Sequence, residues 1–241
     1  MSENDAWKLY YWPGMPGRGE FIRLLFIETS TPFEDVFAGK DWEAVGKVNY
    51  ELSKEFFALP TIKHNEFLLS QTPVICRYLA VKLQNGILYP QEETLGYQAE
   101  MIMAGIVDLT AEGHDAWHPI DKNASYESQK DQAKPFIEYY ENKRLPKWFA
   151  FFERILVENE KKFPTFNQEE GPYLVGESLS YVDLCIFHIL DGIAFQCPAA
   201  YAAIHAPKLK ALKKRIENRP KIKEYLSSSQ RTKFTGTGPI F

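Results

Sequence analysis

Cysteine is scarce in this 241-residue chain: Cys76, Cys185 and Cys197 stand far apart, with no CxxC pair. Neither a disulfide framework nor a thiol-rich metal site is suggested, and a reducing compartment such as the cytoplasm is expected. Long apolar runs are also missing; nothing approaches the roughly eighteen residues that a membrane span requires. The start, MSENDAWKLYYW, has polar and acidic residues where a signal peptide would need a basic start followed by an apolar run. Neither sign of charge dominates, since 28 basic and 32 acidic side chains leave −4. With no basic tail or arm to neutralise phosphates, nucleic acid is not an expected partner. Lys208, Lys210, Lys213, Lys214 and Arg215 do cluster, but Leu209, Ala211, Leu212 and Ile216 interrupt them. That pattern reads as the wet face of an amphipathic helix. No internal repeat is visible.

What the chain does have is an ordinary globular composition, 45% hydrophobic and 25% charged, at a length that suits two domains. Residues 8–12, KLYYW, form an aromatic-rich strand ended by Pro13 and Gly14, with Leu9 and Tyr11 on one side. From Gly19 a helix follows, with Ile22, Leu25 and Phe26 on its apolar face and Arg23 and Glu28 on others. The next signals are weak: Val36 and Phe37 suggest a second strand, and residues 52–57 a short helix. Strands at 61–63 and 67–70 flank a turn containing Asn65, which favours a hairpin. Thr72 followed by Pro73 marks a helix start, threonine as cap and proline in the first turn.

Gly86 and Pro90 break the pattern, so residues 85–94 are read as a linker between a domain of residues 1–84 and a helical domain of residues 95–241. Long helices are predicted over 99–116 and 145–161, joined by the polar stretch 121–134. Ser180 and Asp183 then form a variant capping box for an apolar helix. Helices near 208–218 and 222–229 precede a polar tail ending in Gly238, Pro239, Ile240 and Phe241.

Strand, loop and helix followed by a hairpin and helix resembles the amino-terminal domain of the cytosolic glutathione S-transferases. Four pieces carry the resemblance over nearly the whole chain: YYWPGMPGRGEFIR at 10–23, ALP at 58–60, SQTPVICRYL at 70–79 and LVGESLSYVDLCIF at 174–187. It is nearest to the tyrosine-type classes, among bacterial and fungal members related to mu, pi and sigma. The fold implied is an α/β thioredoxin-like domain followed by an all-α domain. The implied activity is detoxifying conjugation of glutathione to hydrophobic electrophiles, with reduced glutathione as cosubstrate and no cofactor. Peroxide reduction, isomerisation or a non-enzymatic binding scaffold are the alternatives.

The resemblance also assigns residues. Tyr11 falls where the family tyrosine stabilises the glutathione thiolate, although PGMPG is a residue longer than in the nearest mammalian classes and leaves Tyr10 as a rival. Arg18 matches a position pointing toward the glutathione site. Pro60 matches the family's cis-proline, which exposes the backbone of Leu59 to the cysteinyl part of glutathione. Gln71 and Thr72 match the glutamine–serine pair that binds the γ-glutamyl carboxylate. Asp108 matches an acidic residue that reaches the ligand of a neighbouring subunit, so a homodimer is expected. For the glycine carboxylate Trp42 is preferred, with Lys47 and Lys54 competing and Lys54 ahead of Lys47. His114 and His118 stand four apart beside Asp115, but without an HExxH pattern or a third ligand no metal is expected. Trp117 and Met15 are candidates for the walls of an electrophile pocket.

Overall fold

The computed structural model describes residues 6–163 and 171–236. These form two compact units, one of residues up to Tyr89 together with Pro220–Lys233, the other of Pro90–Arg219 together with the residues from Phe234.

The first unit is built on a four-stranded sheet of order β2-β1-β3-β4, where β1 is Trp7–Tyr10, β2 Phe33–Asp35, β3 Thr61–His64 and β4 Phe67–Ser70. β2 runs parallel to β1, which needs the crossover helix α1 (Gly19–Glu28), whereas β3 and β4 form the antiparallel hairpin that the turn residues predict. Asn65 takes the left-handed conformation at φ 54° that such a turn requires. α2 is Trp42–Leu52 and α3 Thr72–Lys82; α1 packs on α3, with Leu9, Ile22, Phe26, Ile62, Ile75 and Leu79 buried between helices and sheet. This is the thioredoxin-like arrangement expected.

Several local expectations shift. β1 ends at Tyr10, so Tyr11 and Trp12 lie in the loop rather than the strand. β2 precedes Val36 and Phe37, although the Val36 amide still donates to the Leu9 carbonyl at 2.9 Å and prolongs the edge. The weak helix expected at 52–57 instead occupies Trp42–Leu52, started by Asp41, whose carboxylate accepts the Ala44 amide at 2.8 Å. Only Val45 of α2 is buried, so the helix offers almost no apolar period to read. Thr72 is the first residue of α3 rather than its cap; Gln71 is the cap and makes no capping side-chain bond.

The second unit is helical: α4 (Glu93–Trp117), α5 (Lys130–Tyr139), α6 (Leu145–Lys162), α7 (Tyr181–Gln196), α8 (Pro198–Ala203) and α9 (Pro207–Glu217). The stretch read as polar connection, 121–134, contains a 3₁₀ turn at Tyr126–Gln129 and the start of α5, and a π-helical segment, Tyr140–Arg144, joins α5 to α6. α7 is the axis: every residue from Tyr181 to Leu190 is buried, as expected of a helix apolar on all faces with neighbours all round. Asp183 starts it by accepting the Ser180 amide at 2.8 Å and the Ser180 hydroxyl at 2.7 Å, and it also holds the Leu174 amide at 2.8 Å. Glu153 of α6 caps α9 through the amides of Lys208 and Leu209.

The final helix, α10 (Pro220–Ser227), departs from the expected division at residues 95–241. It joins the sheet-bearing unit, where Lys221 donates to the Glu28 carbonyl at 2.8 Å and Tyr225 to the Glu20 carboxylate at 3.0 Å. The residues Gly238–Phe241 lie outside the described chain. No described helix is long and apolar enough to cross a membrane.

Candidate active site

The sheet register gathers the singled-out residues of the first unit at one end of the strands. Tyr10 pairs with Thr61, so Tyr11 emerges beside Pro60; Thr61 also pairs with Ser70, so Gln71 emerges on the other side of the same residue. The Leu59–Pro60 peptide is cis. Ser70 fixes this junction by donating its hydroxyl to the Ala58 carbonyl at 2.8 Å. Among the described residues, the Leu59 amide and carbonyl find no hydrogen-bond partner, leaving a short edge on which an extended ligand can pair.

Tyr11 is buried, and its hydroxyl accepts the Arg18 amide at 2.8 Å. That bond uses an oxygen lone pair and leaves the phenolic proton to donate elsewhere. Burial raises the Tyr11 pKa, against the Arg18 amide and the Arg18 and Arg23 charges, so the phenol keeps its proton at neutral pH. The ring is seated on glycine: a Cβ on Gly17 would stand 2.3 Å from the Tyr11 hydroxyl, and one on Gly19 would stand 2.6 Å from its ring. Gly17 has φ +42° besides. Tyr10 sits differently, half-buried with its ring edge 5.6 Å from Phe37.

Arg23 is the residue that periodicity misplaces. Assigned to a face apart from the apolar one, it is 5% exposed. Its guanidinium bonds Asp35 at 2.6 Å and the Pro16 carbonyl at 3.1 Å, and lies 5.8 Å from the centre of the Tyr11 ring. A pattern search for apolar spacing has no term for a charge buried with its partners.

At the start of α3, Gln71 has φ 72° and ψ 107°, a conformation that costs a non-glycine residue about 1–3 kcal/mol. Its carbonyl accepts the Ile75 amide at 2.9 Å, but no side chain caps the first turn among the described residues. An uncapped helix start presents amides and the positive end of the dipole to an anion. Trp42, 60% exposed at the start of α2, has its ring 5.8 Å from Trp12, the neighbour of Tyr11. Lys47 and Lys54 are paired along their own helix and its exit, with Glu43 at 2.8 Å and Glu51 at 2.7 Å.

In the second unit, Asp108 is exposed on α4. His114 and His118 stack with ring centres 4.7 Å apart, and His118 Nδ1 lies 3.3 Å from the Gln129 amide nitrogen. Among the described residues no three His, Cys, Asp or Glu side chains converge on a metal position. Trp117 is buried with its ring edge on Tyr140, a core contact, while Met15 of the first unit is exposed.

Residues 114–229 match the family model described as glutathione S-transferase, C-terminal domain. The glutathione S-transferase P 1 of Xenopus laevis is 31% identical over 227 residues, covering 93% of this chain and 93% of that protein. The chain belongs to the glutathione S-transferase family. The glutathione S-transferase of Plasmodium falciparum is 28% identical over 223 residues, covering 91% of this chain and 94% of that protein. Among solved structures, the pi-class glutathione S-transferase of Onchocerca volvulus superposes with a TM-score of 0.69 at 24% identity, covering 91% of each chain, and shows the shared fold.

Proposed function

We propose that the chain is a glutathione transferase of the tyrosine type, related to the mu, pi and sigma classes, which conjugates reduced glutathione to hydrophobic electrophiles in the cytoplasm. The observation that carries this reading is the Arg18 amide donating to the buried Tyr11 hydroxyl at 2.8 Å. It orients the phenolic proton outward and polarises the O–H bond, making a stronger donor to a thiolate.

Glutathione then lies across the strand ends. Leu59 pairs with its cysteinyl backbone, Gln71 and Thr72 at the uncapped start of α3 bind the γ-glutamyl carboxylate, and Trp42, with Lys54 as the alternative, meets the glycine carboxylate. Tyr11 donates to the sulfur, and Arg18 adds positive charge at the start of α1. A free thiol of pKa about 8.5 is roughly 3% ionised at pH 7, and a fall of two units raises that to roughly 75%. The thiolate attacks an electrophilic carbon, its electron pair forming the new C–S bond as a leaving group departs with the electrons of its bond to that carbon or, at an activated double bond, as the π pair shifts to the far atom and takes a proton from solvent. No cofactor takes part. Two chains form a homodimer in which the exposed Asp108 reaches the amino group of the neighbour's glutathione.

Tyr11→Phe removes the donor and keeps the ring. We expect the midpoint of thiol ionisation, followed by thiolate absorbance, to rise by about two units, roughly 2.7 kcal/mol between protonation states. Glutathione affinity should change less than turnover, and Tyr10→Phe should change neither. A rise in Tyr10→Phe alone transfers the role to Tyr10; no rise in either variant ends the tyrosine mechanism.

A further inference from the structure

A buried ionic cluster in the sheet-bearing unit joins residues from opposite ends of the chain. Glu20, in the first turn of α1, has a fully buried side chain. Its carboxylate lies 3.3 Å from the Arg23 guanidinium and 2.9 Å from that of Arg231, and accepts the Tyr225 hydroxyl at 3.0 Å. Arg23 continues to Asp35 at 2.6 Å. Two carboxylates and two guanidiniums thus balance where an unpaired charge would cost several kcal/mol.

The cluster ends at the loop that seats Tyr11. The Pro16 carbonyl accepts both the Arg23 guanidinium, at 3.1 Å, and the Glu20 amide, at 3.1 Å; the Gly17 carbonyl also receives the Glu20 amide, at 3.2 Å. Gly17 and the Arg18 amide are in turn the groups that meet the Tyr11 hydroxyl. We propose that Tyr225 and Arg231, on and just after α10, are positioning residues for the thiol chemistry, holding Tyr11 in its donating geometry through Glu20, Arg23 and the 16–18 loop. This rests on the reading of Tyr11 given above. A purely structural clamp would need no terminus at the Pro16 carbonyl; this one ends two residues before the Arg18 amide that bonds the phenol.

The reason for two arginines is electrostatic. Without Arg231, Glu20 keeps one guanidinium at the longer distance and its buried charge is undercompensated, so it draws Arg23 toward itself. That loosens Arg23 from the Pro16 carbonyl, and the Arg18 amide moves with that loop. Tyr225 supplies the neutral donor that satisfies a further lone pair of Glu20.

The test compares Arg231→Ala, Arg231→Lys and Tyr225→Phe with the wild-type chain and Tyr11→Phe. For each, thermal unfolding reports stability, and thiolate absorbance of bound glutathione against pH reports activation. We expect Arg231→Ala to raise the thiol midpoint by about 0.5–1 unit and lower kcat/KM three- to tenfold at pH 6.5, with the difference closing at high pH. KM for glutathione should stay within about twofold, because the groups at α3 are untouched. Arg231→Lys should recover at least half of the shift, and Tyr225→Phe should move the midpoint in the same direction by less. If Arg231→Ala does not fold, these two milder variants decide. Lower melting temperatures with an unchanged midpoint overturn the positioning role while leaving Tyr11 in place. A wild-type midpoint no lower than that of free glutathione, or one insensitive to Tyr11→Phe, defeats the underlying reading instead.

Discussion

At the scale of single residues, the site depends on what is small as much as on what is reactive. Because a methyl on Gly17 would fall 2.3 Å from the Tyr11 hydroxyl, Gly17→Ala should cost activity even though it leaves the phenol in the sequence. The φ of +42° adds strain of about 1 kcal/mol or more, so melting should drop too, but the thiol midpoint should rise as in Tyr11→Phe. An unchanged midpoint would show that the loop accommodates the methyl without moving the ring. Motif order brought Tyr11, Leu59, Pro60, Gln71 and Thr72 forward from the sequence, and the strand register gathers them at one end of the sheet. Arg23 and Glu20 stayed hidden for a physical reason. Helical periodicity reports burial of apolar side chains, whereas these two are buried by virtue of partners, Asp35 and Arg231, that lie on other elements.

Among the elements, the two helix starts at α3 and α7 behave oppositely. Gln71 leaves the first turn of α3 without a side-chain cap, so Thr72→Ala should lower melting little. It should weaken glutathione binding in calorimetric titration, with Thr72→Ser close to wild type; equal affinity in all three would leave only the backbone amides in that role. α7 is fully capped and pays for it in solvation, since burial raises the Asp183 pKa to about 6 from 3.8 against the opposing bonds from Leu174 and Ser180. Between those values the folded chain holds a proton that the unfolded chain has lost, so this group's contribution to stability is greatest below pH 4 and falls as pH rises to about 6. Asp183→Asn removes that slope and turns a donor toward the Ser180 amide, which should cost about 1–3 kcal/mol in urea unfolding. A slope that persists in the variant would assign it to another group. The α7 cap was legible as Ser180 followed by Asp183, while α2 was not, because a helix with one buried side chain carries no apolar period.

For the whole molecule, the thioredoxin-like and helical parts were legible because hairpin, crossover helix and long apolar helices each have local signatures. The return of α10 to the sheet-bearing unit was not, since its anchors, Glu28 and Glu20, lie about two hundred residues earlier in the sequence. Assembly is the remaining question at this scale, and the exposed surface supplies the means to test it. Phe57 is 97% exposed, Phe67 and Val74 are exposed on the same unit, and Met101 is exposed on α4. Isolated apolar side chains on a surface are ordinary, but a phenylalanine with no cover at all loses the stabilisation of about 2 kcal/mol that burial would bring. A homodimer that covers Phe57 recovers it. Light scattering of the wild-type chain should therefore give about twice the chain mass of 27.9 kDa. Phe57→Asp should shift the equilibrium toward monomer, because the charge must be desolvated on association. If the proposed role of Asp108 holds, Asp108→Asn should leave the dimer intact and weaken glutathione binding. A wild-type monomer with full turnover would remove both the dimer and the role of Asp108. A dimer untouched by Phe57→Asp would move the interface to another face and leave the Asp108 contact to be tested by affinity alone.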